Sequence, residues 1–199
     1  IYGLYTGSVY LMGLPGGWMA DRLIGGQKAV WYGGIIIMCG HIVLAIPNDQ
    51  TFFIGLILVV LGTGLLKPNI GALVGQLYSS DDKRRDSGYT LYYLGINLGS
   101  VIGYTVCGYL RINMGWHWAF GAAAIGMGIG LILYKKTLSK LEGAGAEPTV
   151  KLSPKAAKIS WSVIGVFLLG VVVVTYMLMN NMMAFNAVAV AQKFAVLAT

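Results

Sequence analysis

A lysine followed by a proline, Lys67–Pro68, stands inside an apolar run, residues 52–77, that holds no other charged side chain. Taken as one helix at 1.5 Å per residue, the run places Lys67 about 4 Å from its midpoint. A charge at the centre of a bilayer costs roughly 2.5–3.5 kcal/mol on insertion scales. Ionisable groups held at that depth mark substrate or ion pathways. None of the seven acids in the chain lies deep in an apolar segment. The counter-charge is therefore expected from a substrate or another segment, or the lysine gives up its proton. Pro68 removes an amide hydrogen bond in the same turn, which predicts a bend there.

Two more polar groups share this depth. Asn97 lies near the middle of the run 88–110 and Tyr10 near the middle of 1–20. Tyr93, Asn97, Ser100 and Tyr104 follow one another at i, i+4, i+7 and i+11, one face of a helix. Gly95, Gly99 and Gly103 form a doubled GxxxG on the other side, a stripe that admits a second backbone. On 1–20, Thr6, Tyr10, Gly13 and Gly17 share a face. A midplane site follows, in which Lys67 supplies charge, Asn97 offers a donor and an acceptor, and Tyr10 and Tyr93 add walls. The plainer alternative has Asn97 bonding a nearby backbone and Tyr10 packing.

The stretch GGWMADRLIGGQK, residues 16–28, joins two apolar runs with Asp21, Arg22 and Lys28. It is either a latch that exchanges charge pairs or a positively flanked turn. Asp21 is suited to accept from amides at a helix start. His41 is expected to pack, His117 to join an aromatic belt with Trp116 and Trp118, and SSDDKRRDS, 79–87, to be a solvated loop. No GxSxG elbow, P-loop or HExxH is present, and no carboxylate pair shares a helical face inside an apolar run. No enzyme, no cofactor and no metal are expected. Cys39 and Cys107 lie within apolar segments, where thiols behave as small hydrophobes.

The elements that must position these residues follow from composition. The chain is 57% hydrophobic and 11% charged, against about 25% charged in soluble domains. Uncharged runs near or above the roughly 20 residues that cross a bilayer as a helix predict an all-α polytopic membrane protein. The predicted spans are 1–20, 29–46, 52–77, 88–110, 116–134 and 159–179, with a seventh beginning near 182. Long continuous runs exclude a β-barrel. Short connections, 21–28, 47–51, 78–87 and 111–115, make successive spans antiparallel neighbours. With alternating direction, one side gathers eleven basic residues from Arg22 to Lys158, and the other holds only Arg111. That asymmetry makes 21–28, 78–87 and 135–158 cytoplasmic and accounts for the net charge of +7 without nucleic acid. Ile1 falls on the outer side, so an earlier helix is expected. The segment 135–158, rich in lysine with glycine and two prolines, reads as a linker between membrane units.

GGWMADRLIGGQKAV resembles the loop signature of the major facilitator superfamily in the form used by proton-coupled oligopeptide transporters. YTLYYLGINLGS, 89–100, is similar to that family's second signature, and GTGLLKPNIGALVGQLY, 62–78, to its fourth helix. The resemblance covers residues 1–134, as helices two to six of the first six-helix bundle. It implies two such bundles, alternating access, and symport of di- and tripeptides with protons, the proton being the only coupling partner. Lys67 then matches the lysine of peptide binding and proton coupling, Asn97 the asparagine that contacts peptide, and Tyr10 a tyrosine of the pocket. Residues 159–199 match the extra inter-bundle helices of bacterial members, in the bacterial inner membrane, and the whole protein is expected to be monomeric. The family's first-helix ExxERF motif and its second bundle lie outside this sequence. Nitrate, another small anion or a drug as cargo, and a non-transporting scaffold, are the alternatives.

Overall fold

The computed structural model describes residues 2–79 and 81–179. Its elements are α1 (Tyr2–Met19), a π-type turn (Ala20–Ile24), α2 (Gly26–Leu44), α3 (Asp49–Gln76), α4 (Arg84–Met114), α5 (Trp116–Thr137), a 3₁₀ turn (Leu138–Leu141) and α6 (Pro154–Met179). No strand occurs among the described residues. The all-α membrane architecture expected from composition is the one observed. Among the described residues, four helices are long and apolar enough to cross a membrane: Gly26–Leu44, Thr51–Gln76, Trp116–Leu141 and Pro154–Met177. α4 has the length, 31 residues, but its tyrosines, Asn97 and Asn113 make it the more polar helix. The seventh span expected near 182 lies outside the described residues.

Val9–Leu152 forms one compact unit, and residues 2–8 group with residues 153–179 in another. Within the first, α2 is central and packs on α3 and on α5, while α4 lies on α5 and touches α3. Its buried residues, Ala29, Val30, Gly33, Gly34, Ile37, Gly40 and Leu44, recur with helical period and form the core-facing stripe. The α2–α3 seam is reciprocal. A Cβ on Gly33 would lie 2.8 Å from the Gly62 carbonyl oxygen, and one on Gly62 would lie 2.7 Å from that of Gly33. Gly40 and Gly55 repeat the arrangement two turns away, each 3.0 Å from the other's oxygen. Four glycines thus bring two antiparallel backbones together along their length.

The doubled GxxxG of α4 is not used in this way. No described atom comes within 4 Å of a Cβ built on Gly95, Gly99 or Gly103. The close approach belongs instead to Gly33, Gly40, Gly55 and Gly62, whose two seven-residue spacings are equally visible in the sequence.

The connections differ in character. α4 passes to α5 through Gly115 alone, at φ 98°, ψ 171°, a conformation open only to glycine. α3 continues as one helix through Pro68. The segment read as a linker is divided: Lys135 and Lys136 complete α5, and residues 144–150 lie against the 20–28 turn. There the Gln27 amide N–H donates to Gly145 O at 2.9 Å, and the Val150 N–H donates to Asp21 O at 3.0 Å. Gln27 Nε2 donates to Ala144 O at 2.8 Å. Backbone partners hold this stretch, so it is no free coil. In the second unit, Ser153 Oγ accepts from the Ala156 N–H and caps α6 ahead of Pro154. No residue of α6 whose exposure is described is buried, and most are exposed, as in a lipid-facing span.

Candidate functional site

Lys67 and Tyr10 meet. The Lys67 ammonium stands 4.5 Å from the centroid of the Tyr10 ring, a cation–π contact between α3 and α1. Lys67 lies about 5 Å from the middle of Thr51–Gln76 at 1.5 Å per residue. Both side chains are exposed, Tyr10 to 67%, so the pair opens onto a face of α1 and α3 rather than into the core. A cation–π contact is worth about 0.5–2 kcal/mol, less than the roughly 2.5–3.5 kcal/mol cost of a charge at mid-bilayer. The ring alone does not offset the charge. Lys67 has no carboxylate partner among the described residues, whose ion pairs are Arg84–Asp82 and Lys151–Glu147. The arrangement therefore presents a cation on a polarisable wall with room for an anion.

Small residues bring α1 and α3 this close. A Cβ on Gly16 would run into the Gly64 carbonyl oxygen, and one on Gly17 would lie 3.9 Å from Pro68 Cβ. Asn69, 4% exposed, is the buried polar residue of the described chain. Its Nδ2 donates to Gly16 O at 3.2 Å and to Leu65 O at 2.6 Å. Sequence reasoning passed over Asn69, although an amide directly after Lys67–Pro68 inside a span is itself an unusual polar group.

The other candidates are placed differently. Asn97 is exposed and donates from Nδ2 to Tyr93 O at 2.9 Å, on its own helix. The Tyr93 ring, 59% exposed, lies 5.6 Å from the Tyr92 ring. Tyr92 approaches α3 near Gly71, and the Tyr89 hydroxyl donates to Gly71 O at 3.4 Å. One turn of α3 thus separates Lys67 from the tyrosines of α4, and Asn97 bonds its own helix rather than Lys67.

Asp21, Arg22 and Lys28 all lie exposed on the 20–28 turn. Asp21 acts through its main-chain oxygen, which accepts from Val150. It does not cap a helix: Gly25, at φ 86°, precedes α2 and no side chain caps it. Gln27, overlooked in the sequence, ties the turn together, since its carbonyl also accepts from the Tyr134 hydroxyl at 3.2 Å. Glu147, on the segment laid over this turn, is held below the usual carboxylate range by a hydrogen bond and charge from Lys151, with Lys28 adding to the effect. Asp82, in the 78–87 loop, is lowered by hydrogen bonds from Arg84.

His41 stacks on Phe120 at 6.5 Å, and its Nδ1 is buried with no partner among the described residues. A cavity of about 590 Å³ at the ends of α2 and α5, lined by Ile46, Phe52, Trp116, His117 and Phe120 among others, contains none of the candidate site residues. No group of three or more potential metal ligands occurs among the described residues.

The family model described as PTR2, POT family, matches residues 27–142. This chain belongs to the POT family. A POT chain of this kind is an integral membrane protein, and its family and structural neighbours are transporters. It is 46% identical over 159 residues to the uncharacterized transporter YclF of Bacillus subtilis, covering 79% of this chain and 32% of that relative. It is 48% identical over 138 residues to the peptide transporter YePEPT of Yersinia enterocolitica, covering 68% of this chain and 27% of that one. Among solved structures, a peptide transporter POT in complex with sulfate aligns at TM-score 0.82 and 40% identity, over 91% of this chain and 37% of the other. The chain thus spans about a third of the length of such POT relatives. The helical architecture is that of the major facilitator superfamily.

Proposed function

We propose that the whole protein imports di- and tripeptides together with protons by alternating access, and that Lys67, Tyr10, Asn97 and Tyr93 contribute to the peptide site. The observation that carries this reading is the Lys67 ammonium on the Tyr10 ring at 4.5 Å, without a carboxylate partner among the described residues. A peptide supplies the missing anion as its terminal carboxylate. Its backbone amides suit the donor and acceptor of Asn97, and the tyrosine rings accept varied side chains. A lysine in such a place also serves as the coupling group, since it pairs with a carboxylate while protonated and is released from that pair when its proton leaves. The match to a relative named a peptide transporter supports the substrate class. Asp21, Arg22 and Lys28 belong on this reading to the gating loop at the cytoplasmic face of the bacterial inner membrane. The full-length protein works as a monomer.

The test is uptake of a labelled dipeptide by full-length protein in liposomes under an imposed proton gradient. Lys67→Ala is expected to reduce uptake below about a tenth of wild type, a loss of more than about 1.4 kcal/mol in transition-state stabilisation, with an unchanged size-exclusion profile. Unlabelled tripeptide should compete and excess nitrate should not. Undiminished uptake by Lys67→Ala, or competition by nitrate alone, overturns the proposal.

A further inference from the structure

We propose that Asn69 is a positioning residue: it fixes the register of α1 on α3 and so holds the Tyr10 ring beneath the Lys67 ammonium. The proposal rests on the reading of Lys67 and Tyr10 given above. Beside Asn69, the α1–α3 seam is built from close contacts of small residues. Gly16 lies against Gly64, Gly17 approaches Pro68, and a Cβ on Gly64 would meet Met12 O at 2.6 Å. These close backbone contacts favour one register by steric exclusion, and a buried directional bond adds to that preference. Pro68 has no N–H, so the Gly64 carbonyl receives no bond from the residue four ahead, and Gly16, lacking a side chain, packs over it.

Asn69 supplies the directional element. Its amide is buried, and both bonds from Nδ2 end on carbonyls, one on its own helix at Leu65 and one across the seam at Gly16. A buried amide that loses its partners is costly, so a slip of α1 by one turn, about 5.4 Å, is opposed. The same slip removes Tyr10 from the ammonium, whose contact spans 4.5 Å. A single buried polar residue that specifies register has precedent in helix assemblies.

The test is a double-mutant cycle on the full-length protein in liposomes, reading dipeptide KM and kcat separately. Asn69→Ala is expected to raise KM about threefold with kcat within about twofold, and to leave KM unchanged within about 1.5-fold in a Tyr10→Ala background. Asn69→Ser keeps a hydroxyl bond to Leu65 O, as helical serines do, but does not reach Gly16. It should behave as Asn69→Ala, and it carries the test if the alanine variant does not fold. An equal effect of Asn69→Ala with and without the Tyr10 ring, or wild-type behaviour of Asn69→Ser, overturns the proposal. If the wild type takes up no dipeptide, or Lys67→Ala leaves uptake intact, the functional reading falls instead. The melting temperatures of the same four proteins then decide: non-additive changes support the positioning role and additive changes overturn it.

Discussion

A ring beneath an ammonium does one job that a hydroxyl does not, and the two parts of Tyr10 separate by substitution. The contact is to the ring centroid at 4.5 Å, so Tyr10→Phe keeps it and Tyr10→Ala removes it. Tyr10→Ala is expected to raise dipeptide KM about two- to fivefold, as the loss of an exposed cation–π contact of about 0.5–1 kcal/mol implies. Tyr10→Phe should stay within about twofold, as measured by uptake in liposomes. A loss in the phenylalanine variant equal to that in alanine would instead place the hydroxyl in the site. At this scale the sequence was legible where depth alone sufficed. Lys67 and Tyr10 sit near the middles of their runs, and equal depth on packed helices brought them together. Asn97 shares that depth, yet its amide turns back to Tyr93, a choice between own-helix carbonyl and neighbour that spacing does not encode. Asn69 went unread because one turn held Lys67 and Pro68 as well, and a polar group that ties two backbones leaves no periodic trace.

Between elements, the glycine register of α2 on α3 carries the fold. Gly33 faces Gly62 and Gly40 faces Gly55, each where the other's carbonyl leaves no room for a methyl group. Gly33→Ala and Gly62→Ala are each expected to destabilise the full-length protein by about 1–3 kcal/mol, the usual cost of overpacking. The double variant should cost less than the sum, since one opening of the seam accommodates both. Thermal unfolding in detergent measures it, and strict additivity would mean that the two sites relax separately. Helix existence was legible from uncharged runs, and ends were less so. α4 exceeds its predicted span at both ends because Arg84–Ser87, and Arg111 and Asn113, are polar yet helical. α6 starts at Pro154, not at 159, although Ser153–Pro154 is a plain N-cap and first-turn signal. The 144–150 stretch read as linker because glycine and proline signal flexibility, while the backbone bonds that fix it to Gln27 and Asp21 join residues more than a hundred positions apart.

For the molecule as a whole, sidedness is the first physical constraint. Lys135 covers the Trp31 ring at 4.9 Å and Arg111 covers the Trp116 ring at 4.9 Å. The two pairs lie at opposite ends of α5, where cations over aromatics suit membrane boundaries. In intact cells a membrane-impermeant maleimide should label Asn113→Cys directly. Lys140→Cys should react only after permeabilisation, in each case with Cys39 and Cys107 replaced by serine. The reverse pattern would invert the orientation assigned from basic residues. The charge asymmetry is what assigns this orientation, and the labelling experiment tests it; the manner in which α4 and α5 are joined was not legible, because a five-residue connection was expected where one glycine suffices. That single pivot has a mechanical corollary. Two long rods hinged at one extremity behave as tongs: the 31 residues of α4 reach about 46 Å from the joint at 1.5 Å each. A swing of only about 5° at Gly115 displaces the far tip of α4 by about 4 Å, over a lever of that reach. Small torsional changes at Gly115 are thereby geared into large excursions at the Arg84 end of α4.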